Sequence, residues 1–73
     1  MIIELIVANE PALENLNYKK IIIKNFQLLI NENSGKIEGV IRKNEDETFS
    51  VFTENIDIVE EAAKQKIIEI KVR

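Results

Sequence analysis

The chain has 73 residues, 45% hydrophobic and 32% charged, with a formal net charge of −3 and neither cysteine nor histidine. That length holds one small domain, 1–73, and excludes a second. Disulfide staples, thiolate metal sites and the commonest general base and metal ligand are excluded together.

Residues 2–8 (IIELIVA) form a nearly continuous apolar run, the pattern of a strand covered on both faces. Asn9 to Asn17 then offers a capping asparagine, Pro11 in a first turn, and Leu13 and Leu16 on one side, which predicts one or two helical turns. Residues 18–30 (YKKIIIKNFQLLI) carry apolar side chains on both parities. A strand bulged or bent at Lys24-Asn25 reconciles them, because one extra residue swaps the faces.

Asn31 to Gly35 reads as a turn, with Gly35 or Asn33 able to take positive φ. Residues 36–43 pair back as a strand, with Ile37 and Ile41 on one face and Val40 on the other. After a second turn at Asn44 to Glu47, residues 48–53 alternate, Phe49 and Val51 inward, Thr48 and Ser50 outward. Asp57-Ile58-Val59-Glu60 matches a capping box, so the principal helix is expected near residues 57–66, with Glu60 and Lys64 paired at i,i+4. Its apolar face is thin: Val59, Ala62 and Ala63, with Ile58 or Ile67 at the ends. Residues 66–72 close the fold as a strand with Ile68, Ile70 and Val72 on one face.

The fold class expected is α+β, a mostly antiparallel sheet of four or five strands in the order β, short α, β, β, β, α, β. Fourteen residues are isoleucine, and β-branched side chains suit a pleated surface. No apolar run approaches the length of a membrane span. Met1-Ile2-Ile3-Glu4 lacks the basic region of a signal peptide, so a cytoplasmic chain is expected.

One short helix cannot cover the apolar residues of such a sheet. The excess predicts either a partial barrel or pairing with a second copy. We read a non-enzymatic protein-interaction module, a homodimer or a partner-binding protein, with Ile21, Ile23, Phe26 and Leu28 as the candidate interface.

Candidate chemistry is sparse. No histidine stands by to activate Ser34, Ser50, Thr48, Thr53 or Tyr18, and no Ser-x-x-Lys pattern occurs. The consecutive acids Glu45-Asp46-Glu47 lack the spacing and glycine of a calcium loop, and Asp57 and Glu60 have a capping role. Gly35 and Gly39 form no phosphate-binding motif. No catalytic residue, cofactor or metal is assigned.

Charge is unevenly spread. Residues 19–43 hold six bases and two acids, net +4, and residues 44–61 hold seven acids and no base. Lys19, Lys20, Lys24, Arg42 and Lys43 are therefore a candidate basic patch for nucleic acid or an acidic partner. Overall acidity, pI about 4.9, weighs against nucleic acid. Lysines that guard an edge strand explain the same residues.

Residues 39–52 (GVIRKNEDETFSVF), with the Glu60-Glu61-Ala62 helix start, resemble the opening hairpin of HicB-type antitoxins. The resemblance spans under half the chain and lacks that family's third strand and Pro-Gly turn. It implies an antitoxin-like regulator as an alternative function. A further alternative is an accessory subunit of a larger enzyme.

Overall fold

The computed structural model describes residues 1–14 and 16–73. Six strands and one helix follow one another as β1 (Ile3–Val7), β2 (Tyr18–Ile23), β3 (Phe26–Asn31), β4 (Ile37–Lys43), β5 (Phe49–Thr53), α1 (Ile56–Ala62) and β6 (Ile67–Val72). All the strands join one sheet in the order β2-β3-β4-β5-β1-β6. Every neighbouring pair is antiparallel. The α+β class is the one expected; the strand count is six rather than four or five.

The additional strand comes from residues 18–30. The chain does not bulge at Lys24-Asn25 but reverses there, so that Ile23 stands opposite Phe26 across a two-residue turn. Lys24 takes φ 53°, a left-handed conformation that side chains with a Cβ seldom adopt. The turn carries no Asn-Gly or Asp-Gly signal, and apolar runs on both sides conceal it. What reads as one strand with swapped faces is a hairpin.

Two helical expectations are corrected. The described residues between β1 and β2 form no helix: Leu13 has φ 53°, Leu16 N–H donates to the Leu13 carbonyl at 3.2 Å, and Tyr18 N–H donates to the Leu16 carbonyl at 3.0 Å. The segment serves as an irregular cover with Pro11 and Leu13 buried. It is tied down by Lys20 Nζ donating to the Ala12 carbonyl at 3.1 Å and Gln27 Nε2 donating to Glu10 at 2.8 Å.

Helix α1 begins earlier and ends sooner than the 57–66 expected. Asn55, not Asp57, is its N-cap, since the Asn55 Oδ1 accepts the Asp57 N–H at 2.8 Å. Ile58 and Ala62 are the helix's buried residues, Val59 is half-buried, and Ala63, expected inward, is exposed. Lys64 pairs with Glu61 at 2.8 Å, at i,i+3 rather than with Glu60.

The core lies between α1, the irregular cover and one face of the sheet. Leu5, Val7, Leu29, Ile41 and Val51 meet Ile58, Ala62 and Leu13 there. Gly39 belongs to this contact: a Cβ on it would stand 3.1 Å from Leu29 Cδ1 and 3.2 Å from Ile58 Cδ1. A side chain at position 39 would require Leu29 and Ile58 to give way by a few tenths of an ångström.

A bulge between β3 and β4 pairs Ile30 with Ile37 directly after Leu29 with Gly39. It sends Ile37 to the face of Val40, not to that of Ile41 as the alternation predicts. Ser50 points away from the core as expected, yet it is buried. Asn44 Nδ2 donates to its Oγ at 2.9 Å, and Arg42 Nε donates to Asn44 Oδ1 at 2.9 Å. Glu4, on the same face, is buried against Arg73 at 2.9 Å.

Candidate interaction surface

Helix and cover protect one face of the sheet, and among the described residues none of the elements covers the face behind them over β2, β3 and β4, where large apolar side chains stand exposed. Hairpin register decides what that face carries. Ile21 pairs with Leu28 and Ile23 with Phe26, and residues directly opposite one another share a face. All four candidate interface residues therefore stand together, although in sequence they lie on different parities. Leu28 faces Val40, Ile30 faces Ile37, and Val40 faces Phe52, which extends the apolar area across β5.

Ile21 is 36% exposed, Phe26 42%, Ile23 52% and Ile37 57%. These values are high for large apolar side chains and occur side by side. At the Ile37 end an open groove of about 550 Å³ is lined by Ile2, Ile37, Val40 and Phe52, with Glu38 and Asn55 as polar groups. At the other end the Arg42 guanidinium lies 5.3 Å from the Phe52 ring centre, a cation–π distance. The register bulge placed Ile37 on this surface, and no sequence signal announces it.

The candidate basic residues do not gather on one face. Lys19 stands opposite Ile30 and Arg42 opposite Phe26, so both border the apolar surface, at opposite ends. Lys20 stands opposite Leu29 and Lys43 opposite Phe49, on the core side. Lys24 sits in the hairpin turn.

A polar cluster clamps the rim of the surface. Asn55 Nδ2 donates to Glu38 Oε1 at 2.6 Å and lies 2.9 Å from the Tyr18 hydroxyl, which donates to the same Glu38 oxygen at 3.1 Å. The hydrogen bond from Asn55 leads in holding the Glu38 carboxyl below its ordinary value, with those from Asn31 and Tyr18 and the charge of Lys36 adding to it. Burial, then the bond to Glu38 and the charges of Glu38 and Asp57, push the Tyr18 phenol up. The cluster is thus a neutral phenol, an ionised carboxylate and an amide, with no activated nucleophile. Its geometry ties β2, the β4 bulge and the start of α1 together.

Among the described residues no three carboxylates converge to hold a metal ion, and no helix is long and apolar enough to cross a membrane. No protein-family model matches this chain, and no curated protein or solved structure matches it.

Proposed function

We propose that this chain is a non-enzymatic interaction module that self-associates through the uncovered sheet face, with Ile21, Ile23, Phe26 and Leu28 at the centre of the contact. The observation that carries this reading is the register of the β2–β3 hairpin, which aligns these four side chains on one face without a covering layer. Two such faces pack at the ordinary sheet-on-sheet spacing of about 10 Å, and each supplies the apolar layer the other lacks. Helix α1 does not supply that layer, because Ile58 and Ala62 pack it against the opposite face of the sheet. Placement of the five basic residues on both faces weighs against the regulator reading, since phosphate contacts require clustered positive charge.

Methyl-resolved spectra with a neutral paramagnetic co-solute test the reading. The Ile21 and Ile23 methyl groups are expected to lose co-solute relaxation as protein concentration rises, while exposed Ile56 stays accessible. Equal accessibility of Ile21 and Ile23 at every concentration refutes it.

A further inference from the structure

We propose that β6 pairs antiparallel with β6 of a second copy about a two-fold axis through Ile70, joining two six-stranded sheets edge to edge. This contact goes beyond the face described above: β6 and β2 are the two opposite edges of the sheet, and the face contact lies at the β2 end.

The first support is an outer edge with free backbone groups. Arg73 and Ile2 exchange both backbone hydrogen bonds, at 2.8 and 3.1 Å. In the register that follows, Ile3 faces Val72, Glu4 faces Lys71 and Leu5 faces Ile70. Antiparallel ladders alternate bonded and non-bonded pairs, so Lys71 and Arg73 spend their N–H and C=O on β1. The N–H and C=O of Ile70 and Val72 point the other way, off the edge of the sheet.

Charge complementarity selects the occupant. With the two-fold at Ile70, Glu69 of each copy stands opposite Lys71 of the other, giving two opposite-charge cross-strand pairs. Ile70 then meets Ile70, while β6 bulges at Ile68, beyond the paired stretch. Shifting the axis by one residue in either direction places Glu69 against Glu69 or Lys71 against Lys71. Edge strand β2 has no such match: Lys19 and Lys20 lie on it, Lys24 follows, and no acid accompanies them. That is the pattern of an edge guarded against pairing.

Apolar exposure agrees with this register. Ile68 is 53% exposed, Ile70 56% and Val72 61%. Ile70 and Val72 stand opposite Leu5 and Ile3, on the core side but beyond the reach of α1. A two-fold perpendicular to the sheet puts both helices on the same side. Four aliphatic side chains, Ile70 and Val72 of each copy, would then fill the space between them, continuing each core into the other. The contact is isologous and closes at two copies.

Amide hydrogen exchange across a dilution series tests this on the full chain, residue by residue. Ile70 and Val72 are expected to be protected at high concentration and to lose protection on dilution, while Lys71 and Arg73 stay protected throughout. Glu69→Lys is expected to shift the dilution midpoint several-fold upward, because each copy then sets a second ammonium against Lys71 of the other. Phe26→Lys separates the two contacts, since it removes the face contact and leaves Ile70 protection in place. Fast exchange of Ile70 and Val72 at every concentration overturns the proposal. Protection of Ile70 that arises together with that of Ile22 overturns it too, because it marks open-ended pairing of β6 with β2.

Discussion

Asn55 uses both ends of its amide: Oδ1 accepts the Asp57 N–H at 2.8 Å, and Nδ2 donates to Glu38 at 2.6 Å. One side chain therefore caps α1 and neutralises the hydrogen-bonding demand of a carboxylate in the β4 bulge. Asn and Asp are ordinarily equivalent N-caps. Here they are not, because an aspartate at this position would set a second carboxylate against Glu38. Asn55→Asp is expected to destabilise the fold near neutral pH and to recover part of the loss as pH falls. Asn55→Ala is expected to cost about 1 kcal/mol. Thermal denaturation of the two variants at several pH values checks both.

The pH dependence of the unaltered chain follows from the same cluster. Glu38 and Asp46 have carboxyl groups held below their ordinary values, Glu38 foremost by Asn55 and Asp46 foremost by the Thr48 side chain. A lowered value means that the unfolded chain binds protons first as pH falls. Their contribution is complete above the ordinary carboxylate range and is lost as pH drops through the lowered folded-state values. Tyr18 acts at the other end, its phenol raised above 10.0 by burial and Glu38. Stability is therefore expected to hold below pH 10 from this residue and to fall above it. Urea denaturation from pH 3 to 11 would show a loss at both ends, and Tyr18→Phe would remove the alkaline one.

Gly39 is expected to resist substitution. A methyl group there meets Leu29 and Ile58 at 3.1 and 3.2 Å, both fully buried. Gly39→Ala should cost about 1–3 kcal/mol through overpacking. Ile58→Ala should cost about 2–5 kcal/mol through the cavity it leaves. Combining the two should cost less than their sum, because the truncated Ile58 makes room for the new methyl. Chemical denaturation of the singles and the double decides this.

Lys24 holds a left-handed backbone at the tip of the β2–β3 hairpin. Glycine takes that conformation without a Cβ penalty. Lys24→Gly is expected to leave the fold unchanged and to stabilise it by roughly 0.5–1 kcal/mol, net of the greater freedom of unfolded glycine. A midpoint of denaturation lower than that of the parent chain would contradict this.

Local patterns made much of the sheet legible. Alternation located β5, the apolar run located β1, and the Asn31–Gly35 turn formed with Gly35 at φ 74°. Reversals of the chain were less visible. Lys24-Asn25 carries no turn signal, so two strands read as one. Asn55 lies outside the capping box that Asp57 and Glu60 form on paper, and it won the cap because Thr53 Oγ1 accepts its N–H at 2.9 Å and Glu38 takes its amide. The candidate surface was legible as residues but not as geometry. Ile21 and Ile23 differ in parity from Phe26 and Leu28, and a hairpin, rather than the bulge expected, brings them to one face. Ile37 joined them through a bulge that depends on tertiary pairing.

Sedimentation equilibrium of the parent chain and of Phe26→Lys over the same concentration range tests the central claim most directly. Phe26 is 42% exposed, so the charge is accommodated by the folded chain and acts on association alone. The account predicts that the parent chain exceeds its 8.4 kDa monomer mass as concentration rises, and that Phe26→Lys loses one association step while remaining folded. A parent chain that stays monomeric throughout, or a Phe26→Lys curve that superimposes on that of the parent, would contradict it.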